Sequence, residues 1–319
     1  MMAPHQYIFG PVASRRLGRS LGVDIVPAKY CTLDCIFCEV GRTTVKTTER
    51  RPYVLPGQII QELQARLKDL PQPDYITITG SGEPTLNSGL GRIITQIRAV
   101  SSTPIALLTN GTLLYRPDVR QDACQADVVL PTLDAPDQQT FELIHRPDPS
   151  ITLQMVVDGL IEFRRQYHGQ IWLEVFVVDQ VNTDPRKVES LKAMIDRIRP
   201  DKIHLNTAVR PTAEPAVPVP SLSTLRRIAA TLGPACELIV DPGDLRAYQA
   251  YQKGLDDKSI LALLQRRPST LDQLANGLAA PASQVQAAID RLLKSGQITA
   301  ETWTDQVFYR LAQQGPSQT

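Results

Sequence analysis

The sequence predicts an α/β protein in which parallel strands alternate with helices and a small module follows. Three observations predict it. Short β-branched runs recur at helix-length intervals, several are apolar without alternation, and the segments between them show helical periodicity. Composition agrees: 319 residues, 42% apolar and 21% charged, is ordinary globular usage and excludes wholesale disorder or collagen-like repetition. Thirty-four Lys and Arg against 33 Asp and Glu leave a net charge of +1, so nucleic-acid binding by bulk charge is not indicated.

The expected strands are Val23 to Val26, Tyr75 to Thr79, Ile105 to Thr109, Asp127 to Leu133, Ile171 to Val178 and Lys202 to Asn206. Between them, Ile59, Ile60, Leu63, Leu67 and Leu70 mark one helical face, and Ile93, Ile94, Ile97 and Val100 a second. Met155, Val156, Leu160 and Phe163 mark a third, and Val188, Leu191, Ile195 and Ile198 a fourth. Strands alternating with helices imply right-handed βαβ units. Periodicity leaves open whether the sheet closes into a full or partial barrel or stays open.

After Asn206 the composition changes. Pro211 to Pro220, with four prolines, reads as an extended connector, followed by a helix over Ser221 to Leu232 and a short apolar run at Glu237 to Val240. From about Asp257 come three short helical patterns, at Ile260 to Leu264, Thr270 to Leu278 and Pro281 to Ser295. In the third, Val285, Ala288, Ile289, Leu292 and Leu293 share a face, Pro281 suits the first turn, and Gly296 suits the residue beyond the end. Ile298 to Trp303 and Val307 to Leu311, joined through Thr304-Asp305, suggest a hairpin. Three helices plus a hairpin resemble a winged helix-turn-helix, with a generic stabilising cap as the alternative. Ala312 to Thr319 reads as a flexible tail. The boundaries expected are therefore 1–210, a connector and helical extension over 211–256, a winged-helix-like domain over 257–311, and a tail over 312–319.

No run reaches the roughly eighteen apolar residues that span a bilayer, and Met1 to Gly10 lacks a signal-peptide core, so a cytoplasmic protein without membrane attachment is expected. In such a reducing compartment, few and uneven cysteines do not read as a disulfide framework. Three of the five, Cys31, Cys35 and Cys38, fall within eight residues; Cys124 and Cys236 stand alone. Three thiolates at that spacing converge on a metal centre, and thiolate ligation favours zinc or an iron–sulfur cluster. Either usually takes four protein ligands, and no fourth lies nearby. A cubane on three cysteines has one iron open to another ligand, which is a catalytic arrangement. The cluster of cysteines lies just beyond the first expected strand, where active-site loops of parallel α/β folds emerge.

Cys31-Thr-Leu-Asp-Cys35-Ile-Phe37-Cys38 resembles the cluster motif of radical S-adenosylmethionine enzymes, with an aromatic before the last cysteine. Thr79-Gly80-Ser81-Gly82-Glu83-Pro84-Thr85, at the end of the next strand, resembles the glycine-rich GEP motif of that superfamily. The resemblance implies a partial (β/α)6 TIM-like barrel, a [4Fe–4S] cluster on Cys31, Cys35 and Cys38, and S-adenosylmethionine chelated by its open iron. One electron from the cluster would cleave the cofactor to methionine and a 5′-deoxyadenosyl radical, which abstracts hydrogen from substrate; flavodoxin or ferredoxin would supply the electron.

On the same resemblance, Gly80 and Gly82 allow close backbone approach to the methionine ammonium, with Ser81 between them and Glu83 and Pro84 holding the turn rigid. Phe37 is expected near the adenine or in plain packing. Asn110, in Thr109-Asn110-Gly111-Thr112, bonds the cofactor or caps a turn. Asp134 and Glu174 are the two informative acids, both candidates to contact the cofactor. Glu174 lies inside the apolar Trp172 to Phe176 run, needs a partner there, and is a candidate for the ribose hydroxyls. Asn206 is a candidate contact to adenine or ribose. His145 and Lys46 are possible proton donors without a second feature beside them, so no catalytic acid is assigned.

Gly10-Pro-Val-Ala-Ser-Arg-Arg-Leu-Gly-Arg-Ser-Leu-Gly-Val-Asp24, with Gly80 to Leu86 and Leu205 to Pro211, is similar to a prokaryotic group related to the tRNA wyosine-base (4-demethylwyosine) synthases. Those synthases carry a second cluster on upstream cysteines, whereas here Cys31 is the first cysteine. Arg15, Arg16 and Arg19, with Arg210, are candidates to hold a carboxylate or phosphate of the substrate, or form a solvated basic segment. Residues 257–311 balance to +1, so the last module suits a peptide, protein or RNA contact as well as DNA. The expected function is therefore hydrogen abstraction from a nucleic-acid base, peptide or small metabolite, an activase for a partner's glycyl radical being one form of that chemistry. The alternative is a metal- or iron–sulfur-sensing winged-helix regulator without cofactor turnover.

Overall fold

The alternation of apolar runs and amphipathic segments folds into one twisted sheet with helices on its outer face. The computed structural model describes residues 7–210, 212–214, 217–241, 257–265, 268–278, 280, 282–303 and 306–312. The chain divides into two compact units, Met1–Val240 and Asp241–Thr319.

The first unit opens with β1 (Ile8–Ser14), β2 (Gly18–Asp24), β3 (Tyr30–Cys31), β4 (Val45–Lys46), α1 (Pro56–Asp69) and β5 (Tyr75–Thr79). It continues through α2 (Leu90–Val100), β6 (Ile105–Leu108), α3 (Pro117–Ala123), β7 (Val128–Leu130), α4 (Gln138–His145), α5 (Leu153–Gln166) and β8 (Gln170–Val177). It ends with α6 (Pro185–Ile198), β9 (Lys202–Thr207), α7 (Leu222–Leu232) and β10 (Cys236–Leu238). Local chemistry starts the helices: Pro56, Pro117 and Pro185 occupy first turns, and Asp137, Thr152, Asp184 and Ser221 cap with their side chains.

The sheet runs β1-β2-β5-β6-β7-β8-β9-β10. All neighbours pair in parallel except β1 and β2. The edge strands β1 and β10 do not pair with each other, so the barrel is partial and open. All six expected strands form, and two more extend the sheet. The Gly10-Pro11 pair disguises β1 in the sequence: its ladder shifts register between Phe9 and Val12, which breaks the alternation a strand normally shows. β10 continues the parallel order after α7. For that reason the first unit reaches Val240, and the boundary expected at residue 210 cuts through its sheet. Nor is the proline-rich stretch a free connector where it is described. Ala213 N–H donates to Cys38 O at 2.9 Å and Glu214 N–H to Ile36 O at 3.0 Å.

Inside the concave face, Leu17, Ala106, Val128, Leu130 and Trp172 pack with Tyr75 and Leu108 and fill the base of the barrel. His204 of β9 is 2% exposed, lies edge-on to Trp172 at 5.4 Å, and has no partner for Nδ1. Burial, and then the nearby Arg16 guanidinium, push its pKa down to about 4 from 6.5. The unfolded chain therefore binds this proton between those values while the folded protein does not. Its contribution to stability is complete above pH 6.5 and is lost as pH falls toward about 4. His204→Gln is expected to flatten the fall in urea midpoint between pH 7 and pH 5 relative to wild type; parallel curves would refute this.

The second unit contains α8 (Asp257–Leu264), β11 (Ser269–Thr270), α9 (Leu271–Leu278), α10 (Ala282–Lys294), β12 (Ile298–Trp303) and β13 (Gln306–Leu311). Its antiparallel sheet runs β11-β13-β12. Ile260, Leu274, Val285, Ala288, Ile289, Leu292 and Ile298 contribute to its core; four of these are on the α10 face expected from the sequence, and the fifth expected residue, Leu293, is partly buried against them. Gly296 at φ +71 follows α10 and donates to Leu293 O, a left-handed helix stop. Pro281, Thr304-Asp305 and the tail beyond Ala312 lie outside the described residues. Among the described residues, no helix is long and apolar enough to cross a membrane.

Candidate cofactor site

Because neighbouring strands are parallel, their C-terminal ends gather at one end of the sheet, and the motifs read from the sequence meet there. Cys31 ends β3, and the loop to Cys38 is tied down by backbone bonds from Asp34 N to His145 O at 2.8 Å and Ile36 N to Ile144 O at 2.9 Å. A charged clamp fixes its outer side. Asp34 accepts from Arg42 and from Thr43 N, and Glu214 Oε1 bridges Arg42 at 2.8 Å and Arg146 at 2.7 Å. Burial pushes the Asp34 carboxyl up, but the Thr43 amide and the Arg42 guanidinium outweigh it and hold it below the usual range.

The three thiols border one cavity of about 210 Å³ together with Arg16, Phe37, Gly82, Glu83, Pro84, Asn110, His145 and Glu174. A second cavity of about 330 Å³ shares Arg16, Phe37, Cys38 and Glu174 with it and adds Arg15, Glu39, Phe176, Asn206 and Arg210. Phe37, common to both, stacks at 3.9 Å between centroids on Phe176, which lines the second. Burial pushes the Cys31 thiol up to about 12, with Glu83 adding to it, and pushes Cys35 well above its ordinary value. Such thiols carry a thiolate only when a metal takes the charge.

Two turns form the floor. Gly82 passes so close to the strand before Cys31 that a Cβ would stand 2.0 Å from Tyr30 O. Glu83 is 2% exposed, and both of its carboxylate oxygens are engaged by the chain. Oε1 accepts from Thr85 N at 3.0 Å and from Thr109 Oγ1 at 2.6 Å, and Oε2 from Asn110 N at 2.7 Å. It thus bolts the end of β5 to the end of β6. Burial raises its pKa, and these donors work against the rise. Ser81 faces away from the cavity, donating through N and Oγ to Asp24 Oδ2 at 3.1 and 2.9 Å, and Gly80 packs against the same carboxylate. Asp24 was not anticipated; its only sequence signal is a carboxylate at the end of an apolar strand.

The other expected residues divide. Asn110 reaches the cysteine loop, with Nδ2 3.5 Å from Cys31 Sγ and 2.8 Å from Thr32 Oγ1. Glu174 has the partner its burial requires: Oε1 accepts from Arg16 at 3.0 Å and Asn206 Nδ2 at 3.0 Å. Asp134 does not line the main cavity. It is fully buried behind it, and Oδ1 holds His145 Nε2 at 2.5 Å while His145 Nδ1 sits 3.1 Å from Cys35 Sγ. That supplies the second feature His145 lacked in the sequence. Arg15 and Arg210 line the second cavity, Arg210 in a bridge to Glu39 at 3.2 Å. Arg19 is not brought to the site. It starts the second residue of β2, at the far end of the strand, and meets Asp74 and Gln72 O. Cys124 caps α3 and Cys236 starts β10, so neither reaches the three thiols.

A family model described as the Radical SAM superfamily matches residues 25–199, from the end of β2 through α6. The chain belongs to the radical SAM superfamily. It is 35% identical over 224 residues to the UPF0026 protein MJ1312 of Methanocaldococcus jannaschii, covering 70% of each chain. It is 33% identical over 270 residues to a UPF0026 protein of Helicobacter pylori, 83% of this chain and 86% of that one. A Brachyspira hyodysenteriae protein named GTPase Obg is 34% identical over 295 residues; these are 92% of this chain but 43% of that protein, so the chain spans under half its length. Among solved structures, a radical SAM methyltransferase from Sphaerobacter thermophilus superposes with a TM-score of 0.51 at 15% identity, over 69% of this chain and 66% of that one. That likeness concerns the fold.

Members of the radical SAM superfamily bind a [4Fe–4S] cluster and S-adenosylmethionine, and this site fits both. The donor set is three thiols on one cavity without a fourth cysteine. No three His, Cys, Asp or Glu side chains among the described residues converge on a single metal ion. The two cavities together lie within the range of about 300–1,000 Å³ usual for ligand sites.

Proposed function

We propose that the chain is a radical S-adenosylmethionine enzyme that abstracts hydrogen from an anionic substrate held in the second cavity. The observation that supports this most is the shared wall. Phe37, Cys38, Arg16 and Glu174 belong at once to the cavity with the three thiols and to the arginine-lined cavity beside it. Cys31, Cys35 and Cys38 would hold the cluster, and the Gly82 to Pro84 turn the methionine end of the cofactor. When bound, the pair supplies reductive cleavage to a 5′-deoxyadenosyl radical.

The remaining roles belong to the chain. Phe37 and Phe176 screen the space between the cavities from water. Glu174, oriented by Arg16 and Asn206, offers its second oxygen to ribose hydroxyls. Arg15, Arg16 and Arg210 offer donors to a substrate carboxylate or phosphate, whether on a nucleic-acid base, a peptide or a small metabolite. The second unit, three helices and a three-stranded antiparallel sheet in the order helix-strand-helix-helix-strand-strand, supports a winged-helix-like contact module for RNA, peptide or protein. A flavodoxin- or ferredoxin-type donor is the electron source in this reading. Kinship with the wyosine-base synthases rests on Gly10 to Asp24, Gly80 to Leu86 and Leu205 to Pro211, without their second cluster.

The test is anaerobic. The protein is reconstituted with iron and sulfide, reduced, given S-adenosylmethionine, and assayed for 5′-deoxyadenosine beside Cys35→Ala. Product from wild type alone is expected. One tightly bound zinc and no product would overturn the enzyme reading in favour of a metal-sensing regulator.

A further inference from the structure

Each clustered sulfur is met by a nitrogen from a different part of the fold. Asn110 Nδ2, beyond β6, lies 3.5 Å from Cys31 Sγ; His145 Nδ1, ending α4, lies 3.1 Å from Cys35 Sγ; Lys29 Nζ, before β3, lies 3.8 Å from Cys38 Sγ. We propose that Lys29 and Asn110 are positioning residues that raise the reduction potential of the cluster by donating hydrogen bonds to the Cys38 and Cys31 thiolates. This rests on the reading that these cysteines carry a [4Fe–4S] cluster.

A thiolate on iron keeps part of its negative charge, and one-electron reduction increases it. A donor aimed at the sulfur therefore stabilises the reduced state more than the oxidised one. Lys29 brings a full positive charge as well as a proton, and its amine is steadied by Gly41 O, so it stays directed at the Cys38 turn.

Two features show that these contacts are built into the fold. Lys29 has φ +67, a left-handed backbone that lysine rarely adopts. It is held there from both sides, donating to Ser81 O at 2.7 Å and accepting from Thr44 N and Val45 N at 3.1 Å. Ser81 is in turn fixed on Asp24. For Asn110 the amide orientation is decided by chemistry. Its Oδ1 accepts from Thr112 N at 3.0 Å, a group that can only donate, so the NH₂ must face Cys31. His145, wedged edge-on to Phe37 and fixed by Asp134, keeps Cys35 in place; the inference does not depend on its proton.

The test is a dithionite titration of the reconstituted full chain under anaerobic conditions, with the reduced cluster counted by electron paramagnetic resonance. At the wild-type midpoint, Lys29→Met is expected to hold about tenfold less reduced over oxidised cluster, a shift of about 59 mV to more negative potential. Asn110→Ala is expected to shift the same way by about threefold, and Lys29→Arg to restore the wild-type value. Lys46→Met is the control for charge without contact, because Lys46 is an exposed cation near the loop that donates to Arg146 O. It should leave the midpoint unchanged. Unchanged midpoints in both Lys29→Met and Asn110→Ala would overturn the inference, as would a shift in Lys46→Met as large as that in Lys29→Met. Should Lys29→Met take up no cluster, Asn110→Ala decides alone. Wild type that takes up no cluster is a different failure, that of the underlying cofactor reading.

Discussion

Gly82→Ala is expected to lower 5′-deoxyadenosine formation by about a hundredfold or more, the usual consequence of displacing a reacting centre by about an ångström. The added methyl would stand 2.0 Å from Tyr30 O and 3.0 Å from Tyr30 C, both backbone atoms. No rotamer change relieves such contacts, so the turn at Gly82 and β3 must part. Tyr30 O also accepts the Glu83 N–H at 2.9 Å, and separation breaks that bond. Cys31 is the next residue, which makes the cofactor turn and the first cluster ligand move together. Single-turnover assays at matched iron content check this, since iron content separates lost geometry from lost cluster. Activity within threefold of wild type would show that the approach of the two turns is dispensable.

Glu83→Gln is expected to destabilise the protein by about 1–3 kcal/mol and, through the turns it joins, to weaken S-adenosylmethionine binding. Its carboxylate is surrounded by donors: Thr85 N and Oγ1, Thr109 Oγ1 and Asn110 N. A carboxamide satisfies one side of that set and presents its own N–H to the other, placing donor against donor in a buried site. The loss then spreads to Asn110 and to the Cys31 contact it makes. Thermal melting and calorimetric titration with S-adenosylmethionine measure the two effects. A stable variant with weakened binding would instead make Glu83 a direct ligand contact.

The sheet was legible wherever a strand is buried on both faces. Ile105, Ala106, Leu107, Ile171 and Leu173 are all fully buried, and their runs are continuous in the sequence. Edges were harder to read. β1 carries Gly10-Pro11 and a register shift, and β10 has only three residues, so neither shows a period. The short helices α3 and α4 escaped for a similar reason: seven and eight residues hold too few turns for a face to repeat. The site motifs were legible because they are local. Three cysteines within eight residues mark a metal centre by spacing, and the resemblance of that motif and of Gly80-Ser-Gly-Glu-Pro84 to the superfamily implies the cofactor.

The amino-acid sequence by itself determined the parallel α/β class, the three thiols and the turn that faces them, because period and spacing are properties of the chain. Only the tertiary structure decided which groups stand behind those motifs. Asp134 moved from cofactor contact to support for His145, Arg19 left the site for Asp74, and Asp24 and Lys29 entered it. Such partners come from different elements and can lie far apart in the chain, 158 residues in the Arg16–Glu174 pair. A buried polar group must find a partner somewhere, but its own sequence neighbourhood does not name which one; the packing of strand ends does.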